Sequence, residues 1–189
     1  LNVDLPEGIT LYRGAEIMLD RPIPPAVTER KVTINATRYL LVEFPRMVPA
    51  EIVARALNDV LTIGLVPILA HPERYTSCSI ETARAWRELG AVMAVDATTL
   101  TLPRSRGERA RDLVRAGLAD VLAGDNHGDE RCIATALDWL GEHDGADQSL
   151  LLLETNPRAI LDDQALYEVD PLEIRSSLWT KMRRMMDTE

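Results

Sequence analysis

Acidic and imidazole side chains follow or interrupt apolar segments at four separated points of the chain. Glu16 lies within the segment YRGAEIML, and Glu43 lies at the end of YLLVEF. His71 directly follows LVPILA, and both Asp125 and His127 come just after VLAG. A carboxylate among apolar side chains is costly to bury unless it is paired or bound to a metal. Because mixtures of imidazole and carboxylate suit zinc, manganese or iron, these five residues are candidate metal ligands.

Each of these residues, taken singly, also has an ordinary explanation. A glutamate at a strand end is often half solvated or paired with arginine, His71 before Pro72 fits a tight turn, and Asp125 could cap a helix. Together the residues favour a common site, because the carboxyl ends of parallel strands lie at one rim of an α/β fold. The Asp-x-His spacing also places two ligands on one side of an extended backbone.

Two arginines lie close to these candidates in the sequence. Arg74 comes three residues after His71, and Arg131 comes four residues after His127. A guanidinium group offers a planar fork that grips phosphate, although a surface salt bridge is the ordinary role of such a residue. Their placement favours a site for an anionic substrate.

Two further candidates carry little weight. His143, in GEHDG, follows a predicted helix and is expected to be solvated. The segment from Cys78 to Arg84 matches the Cys-x5-Arg pattern of thiolate phosphatases, but it contains no glycine, and Glu81 would face the phosphate. A low thiol pKa needs an electropositive setting, so we reject a cysteine nucleophile.

The elements that must position these side chains follow from the hydrophobic pattern. Apolar runs alternate with segments of helical period, and the apolar strands imply parallel pairing with helices over them; both a barrel and a doubly wound sheet fit. The predicted strands cover 10–18, 31–34, 39–44, 65–70, 92–95 and 118–123. The predicted helices cover 49–63, 79–89, 107–116, 130–140 and 172–186.

The composition limits the classes of function. The 189 residues, 46% hydrophobic and 27% charged, are typical of one globular domain spanning 1–189. A net charge of −9 argues against a general nucleic-acid binder and would repel a phosphate substrate unless cations line the site. Two cysteines favour a reducing, cytoplasmic location, and no apolar run approaches the roughly 20 residues of a membrane span.

Six segments together resemble one known family. They are GAEI at 14–17, RYLLVEFP at 38–45, ILAHPERY at 68–75, LAGDNH at 122–127, ETNPRAIL at 154–161 and SLWTKMRR at 177–184. In this order and spacing they resemble the bacterial capsule-locus tyrosine phosphatases of the CpsB/YwqE type, within the PHP (polymerase and histidinol phosphatase) superfamily. HPERY followed by Asp-x-His is the specific part of this match.

The resemblance implies an α/β fold, a distorted TIM-like (β/α)7 barrel, with a multinuclear cluster of Mn²⁺ or of Fe²⁺, Zn²⁺ or Co²⁺ at its rim. It implies that Glu16 bridges metals and that the other ligands are Glu43, His71, Asp125 and His127. It also implies that Arg74 and Arg131 bind the substrate phosphate.

The chain departs from the family pattern in three respects, one of which is that Arg131 sits at a spacing slightly different from the family's. Asn126 stands where the family usually has alanine, in Gly124-Asp125-Asn126-His127. The family's N-terminal His-x-His strand, the acid after it and a further histidine have no counterpart, so we expect the N-terminal βα units to be missing from a longer protein. If the protein does begin at Leu1, we expect weak metal binding and little activity.

Three functions remain open at this level. The favoured one is metal-dependent hydrolysis of phosphotyrosine on a capsule or exopolysaccharide tyrosine kinase with a tyrosine-rich tail. The second is hydrolysis of a small phosphate ester such as histidinol phosphate, and the third is a metal-poor module that binds the kinase tail without catalysis. A homo-oligomer fits any of them.

Overall fold

The structure, a computed structural model, describes residues 6–20, 27 and 32–172. Within this part of the chain, parallel strands form one sheet in the sequential order β1-β2-β3-β4-β5. The strands are β1 Glu16–Met18, β2 Tyr39–Glu43, β3 Val66–Ala70, β4 Val92–Asp96 and β5 Val121–Ala123. Because all of these pairings are parallel, the carboxyl ends of the strands lie along one edge of the sheet.

Helices connect the strands and continue beyond the last one. They are α1 Ala50–Thr62, α2 Ile80–Glu88, α3 Arg104–Arg115, α4 Ala134–Gly141, α5 Ala146–Leu150 and α6 Asn156–Leu161, with a π-helical turn at Leu151–Thr155. Short 3₁₀ turns occupy Ile34–Ala36, Pro72–Arg74 and Ala97–Thr101. None of the helices in the described ranges has the length and apolar character needed to cross a membrane.

The two faces of the sheet bury different sets of side chains. Side chains of alternate strand residues, including Leu40, Leu69 and Met93, pack against α1, α2 and α3 in the larger core. The intervening strand residues face the other way and form a smaller cluster with Ile160 of α6. Its strand members are Tyr39, Ile68, Val92, Ala94 and Val121. Because side chains alternate along a strand, Glu43 and Asp96 share this second face.

The predicted fold class is confirmed as α/β with a parallel sheet. The sheet in the described part of the chain is open, so closure into a barrel stays a prediction. Helix 49–63 is found at Ala50–Thr62, and Ser79 caps α2 through a reciprocal pair of bonds with Thr82. Strand 92–95 extends one residue further, to Asp96.

Two strand predictions near the N-terminus are wrong in large part. Of the predicted strand 10–18, only Glu16–Met18 pairs in the sheet. Of the predicted strand 31–34, residues 32–34 form bends and the start of a 3₁₀ turn, where Asn35 has a φ of 50°. The 32–35 segment exchanges two backbone bonds with residues 13–15 and is not a strand of the sheet.

Two predicted helices begin at other residues than expected, and a third lies almost wholly outside the described residues. Helix 107–116 begins earlier, at Arg104, directly after Pro103. Helix 130–140 begins later, at Ala134, because the side chain of Asn126 closes a polar loop before it. The predicted C-terminal helix 172–186 lies, apart from its first residue, outside the described residues.

Candidate active site

Glu16, Glu43 and His71 meet at the carboxyl edge of the sheet. Nε2 of His71 lies 3.2 Å from Oε1 of Glu16 and 3.6 Å from Oε2 of Glu43. One ligand atom from each of the three residues lies within 4.8 Å of the others. Three residues that are distant in sequence are thus close enough to share one cation.

The sheet register explains this meeting. Glu43 is the last residue of β2, and His71 is the first residue after β3, so the two strand ends lie side by side. Glu16 pairs with Leu41, which places it two positions deeper than Glu43, and its long side chain spans the difference. His71 itself adopts a left-handed backbone, with φ 35° and ψ 55°, a conformation that is uncommon for a non-glycine residue and occurs often at functional sites.

The electrostatics of this group suit a metal ion. Burial, followed by the charge of Arg74, lowers the pKa of His71 to about 4, so the imidazole is neutral near pH 7 and can act as a ligand. Burial and the charges of Glu43 and Asp125 raise the pKa of Glu16. A divalent cation would relieve this crowding of negative charge, so the donor set fits such an ion.

Asp125 forms the centre of a second group, in which it meets two arginines. Its Oδ2 accepts a bond of 2.8 Å from Nη1 of Arg131 and another from Nη2 of Arg74. Its Oδ1 lies 3.3 Å from Nε2 of His127, whose side chain is largely exposed. Although burial works to raise it, the charge and hydrogen bond of Arg74 lower the pKa of Asp125, with further help from His71 and Arg131.

The structure therefore distributes the expected site residues over two adjacent groups. Glu16, Glu43 and His71 form the first, and Asp125, His127, Arg74 and Arg131 form the second. Asp125 has a positive φ of 43°, as His71 does, so both strand ends place a strained residue at the site. The two groups lie close together, since the charge of Asp125 in the second group raises the pKa of Glu16 in the first.

Asp96 and Arg106 belong to the same region, but the sequence analysis missed them. The side chain of Asp96 is 1% exposed, and its Oδ2 lies 3.1 Å from Nη2 of Arg74 and 3.0 Å from Nη2 of Arg106. Its Oδ1 accepts bonds from the backbone and the hydroxyl of Thr98. An acid at the end of the apolar run VMAVD gives the same signal as Glu43, so Asp96 could have been found.

The HPERY segment owes its shape to its own side chains. Pro72 begins the 3₁₀ turn, and the Tyr75 hydroxyl donates to the carbonyl of Ala70 while accepting from the backbone N–H of Phe44. Glu73 is fully buried, which raises its pKa to about 7, and Thr99 donates to it at 3.3 Å. These contacts fix the direction in which Arg74 leaves the turn.

The two weaker sequence candidates lie away from this site. Burial raises the pKa of Cys78 to about 12, so its thiol is not a ready nucleophile, and Arg84 is exposed on α2.

The expectation that His143 is solvated is wrong, because the side chain is half-buried. Its ring stacks on Trp139 with centroids 4.3 Å apart, and its Nδ1 lies 2.7 Å from the Trp139 carbonyl.

Comparison with curated proteins gives relatives with capsule-related names. The tyrosine-protein phosphatase CpsB of Streptococcus pneumoniae is 28% identical, over 86% of this chain and 72% of that protein. CapC of Staphylococcus aureus is 30% identical, over 64% of this chain and 49% of that protein. The chain thus spans about half the length of CapC and nearly three quarters of CpsB.

A solved structure has a similar fold. It is described as YwqE from Bacillus subtilis and CpsB from Streptococcus pneumoniae, unique metal-dependent tyrosine phosphatases. The match has a TM-score of 0.72 at 23% identity and covers 85% of this chain and 68% of the other. A family model described as capsular polysaccharide synthesis, CpsB/CapC, matches residues 3–162. The chain therefore belongs to the CpsB/CapC family of capsular polysaccharide synthesis proteins.

Proposed function

We propose that this protein is a metal-dependent phosphatase that hydrolyses phosphotyrosine on a protein. The observation that carries the proposal is the convergence of Glu16, Glu43 and His71 beside Arg74 and Arg131. A cluster of metal-type ligands next to two guanidinium groups is a combination that suits phosphate-ester hydrolysis. The names of the relatives, tyrosine-protein phosphatase and metal-dependent tyrosine phosphatase, support the same activity.

The chain's own side chains would hold the metal. Glu16, Glu43 and His71 provide two carboxylates and a neutral imidazole, and Asp125 with His127 would extend the site to more than one ion. Carboxylate-rich sets of this kind suit manganese, which we take as the natural metal, with Fe²⁺, Zn²⁺ or Co²⁺ as substitutes. Bound ions of this class polarise a phosphoryl group and make a nucleophile available from water at neutral pH.

Arg74 and Arg131 would hold the phosphate. Both donate to the same oxygen of Asp125, which means that their guanidinium groups converge on a point that one anionic oxygen can occupy. Placed on the equatorial oxygens of a phosphoryl group, they favour the transition state over the ground state. The leaving group is a phenolate with a pKa of about 10, so a strong general acid is less necessary than for an alkyl ester.

The partner follows from the family. A protein of capsular polysaccharide synthesis that hydrolyses phosphotyrosine would act on a tyrosine kinase of the same process, on its tyrosine-rich tail. The free thiols of Cys78 and Cys132 support a reducing, cytoplasmic location. The sequential order of the parallel strands supports a (β/α) barrel in which the sheet forms an arc, within one domain covering 1–189.

The proposal is tested with the purified protein, a phosphotyrosine peptide and small alkyl phosphates. We expect Mn²⁺ to support hydrolysis of the peptide, EDTA to abolish it, and added Mn²⁺ to restore it. Faster hydrolysis of histidinol phosphate than of any phosphotyrosine peptide would assign the site to small esters. Full activity in protein that elemental analysis finds free of transition metal would overturn the metal-dependent mechanism.

A further inference from the structure

A cavity of about 240 Å³ opens beside the candidate metal ligands, between the HPERY turn and the start of α3. It contacts Glu43 and His71 on one side, and four arginines line it: Arg46, Arg74, Arg106 and Arg109. Asp125 and Arg131, which with Arg74 form the expected phosphate site, are not among its lining residues. The cavity therefore shares only Arg74 with the group formed by Asp125, His127, Arg74 and Arg131.

Two of the four arginines that line this cavity have no carboxylate partner within the described residues. Asp96 is shared between Arg74 and Arg106. Arg109 donates through Nε to the backbone carbonyl of Glu73, at 2.9 Å. Within the described residues, no carboxylate forms an ion pair with the side chains of Arg46 or Arg109. Arg46 and Arg109 are thus guanidinium groups at the cavity that can pair with an added anion.

The packing of these arginines brings like charges together. Arg106 and Arg109 are three residues apart on α3, so they share one face of the helix. Burial and the nearby charge of Arg74 lower the pKa of Arg106, and its Nε is buried without a hydrogen-bond partner. Guanidinium groups crowded in this way are stabilised by an anion that contacts more than one of them.

We propose that this cavity binds a second anionic group of the substrate, a carboxylate or phosphate on a residue that neighbours the phosphotyrosine. The proposal rests on the proposed function and specifies its substrate class: acidic or multiply phosphorylated tyrosine segments. Arg74 connects the two sites, since it contacts Asp125 on one side and lines the cavity on the other. Arg46, exposed at the cavity wall, is the residue that sets this preference.

The test compares four phosphotyrosine peptides that differ at the neighbouring position: alanine, aspartate, lysine or a second phosphotyrosine. Activity (kcat/KM) is measured with Mn²⁺, and affinity is measured by calorimetry with non-hydrolysable phosphonate versions. We expect kcat/KM and affinity of the wild-type protein to be about fivefold higher with an anionic neighbour than with alanine. This is the size of effect expected for one partly exposed ion pair. A gain with aspartate identifies a carboxylate site, and a gain with the second phosphotyrosine alone identifies a phosphate site.

Charge reversal supplies the decisive variant. Arg46→Glu should abolish the preference for an anionic neighbour and favour the lysine peptide. Arg84→Glu makes the same charge change on an exposed part of α2 and should leave the order of the peptides unchanged. Equal kcat/KM and affinity for the alanine, aspartate and doubly phosphorylated peptides would overturn the subsite while leaving the phosphatase intact. Failure to bind or hydrolyse any of them would overturn the proposed function itself.

Discussion

Asp96 and Arg74 form a buried ion pair that connects the end of β4 to the HPERY turn. Oδ2 of Asp96 lies 3.1 Å from Nη2 of Arg74, and the carboxylate is 1% exposed while the guanidinium is 27% exposed. The other oxygen of Asp96 is occupied by Thr98, so the carboxylate has little freedom to turn. We therefore expect Asp96 to be a positioning residue for Arg74, the arginine proposed above to bind the substrate phosphate.

Replacing this carboxylate should affect catalysis more than folding. In Asp96→Asn the amide oxygen can still accept from the backbone of Thr98, but the charge that holds Arg74 is lost. We expect kcat/KM on a phosphotyrosine peptide to fall by about tenfold to a hundredfold, as expected when a charged hydrogen bond that orients a catalytic group is removed. Steady-state kinetics at saturating Mn²⁺ measures the loss.

A double-mutant cycle separates positioning from a general structural effect. In an Arg74→Ala background, the further change Asp96→Asn should reduce kcat/KM by less than about twofold, because its partner is already absent. If the two single losses simply multiply in the double variant, Asp96 acts independently of Arg74, and the positioning role is wrong.

Removing one of the candidate metal ligands Glu16, Glu43 and His71 should weaken the binding of Mn²⁺. We expect Glu43→Gln and His71→Ala each to weaken Mn²⁺ binding by more than about tenfold, since each removes a donor from the cluster. Isothermal titration with Mn²⁺ measures the affinity directly, without a substrate. Glu51→Gln, on the exposed face of α1, makes the same chemical change as Glu43→Gln and should bind Mn²⁺ as the wild type does. Equal affinity in all four proteins would remove these residues from the metal site.

The sequence predicted β2, β3 and β4 well because these strands are largely buried on both faces. Continuous apolar runs such as LVPILA identify buried strands regardless of their partners, and residues just past their ends fall at one edge of a parallel sheet. This is why Glu43 and His71 could be placed together before the structure was known. Asp96, which directly follows the predicted strand 92–95, was missed although the same reasoning applies to it.

Other features depend on contacts that no local pattern contains. Residues 10–15 were predicted as part of a strand, but β1 starts at Glu16, where pairing with Leu41 of β2 begins. The loop before α4 is closed by the Asn126 side chain, which bonds to the carbonyls of Asp129 and Arg131 and to the N–H of Gly128. Only the folded loop brings these groups within reach of one amide.

The same loop gives a prediction about Arg131. Because Asn126 bonds to the Arg131 carbonyl at 2.7 Å, Asn126→Ala should release the loop and misplace the guanidinium. We expect kcat/KM to fall by about tenfold, less than the roughly hundredfold loss in Arg131→Ala, which removes a donor to the transition state. The loop is exposed, so the melting temperature of Asn126→Ala should change little. If Asn126→Ala lowered the melting temperature clearly and kcat/KM only slightly, Asn126 would have a purely structural role.

Stability depends on a second ion pair, away from the site. Asp120 is 4% exposed and accepts from Arg87 at 2.7 Å and from the backbone N–H of Met93 at 2.8 Å. We expect Asp120→Ala to lower the free energy of unfolding by about 3 kcal/mol, because a partly buried guanidinium and a buried N–H lose their partner. Urea unfolding measures the change. Asp112→Ala, which breaks an exposed pair with Arg115, should cost less than about 1 kcal/mol, and similar losses in both variants would contradict the argument.

The buried thiol of Cys78 predicts how alkylation and pH act on the protein. Burial, with a contribution from the Glu73 carboxylate, raises its pKa to about 12, whereas an unfolded cysteine titrates near 8.5. The folded state therefore keeps a proton that the unfolded state releases. This contribution to stability is complete below about pH 8.5 and is lost as the pH rises through about 12.

At pH 8 the thiolate fraction of Cys78 in the folded protein should be about a thousandfold below that of a free cysteine, because reactivity follows the thiolate. Iodoacetamide should consequently modify the exposed Cys132 and leave Cys78 intact until urea unfolds the chain, as peptide mass spectrometry would detect. Cys132 directly follows Arg131, so turnover is measured in a Cys132→Ser variant, in which hydrolysis of a phosphotyrosine peptide should survive the treatment. Rapid alkylation of Cys78 in the native protein with parallel loss of turnover, while EDTA has no effect, would point to a cysteine nucleophile instead of a metal centre.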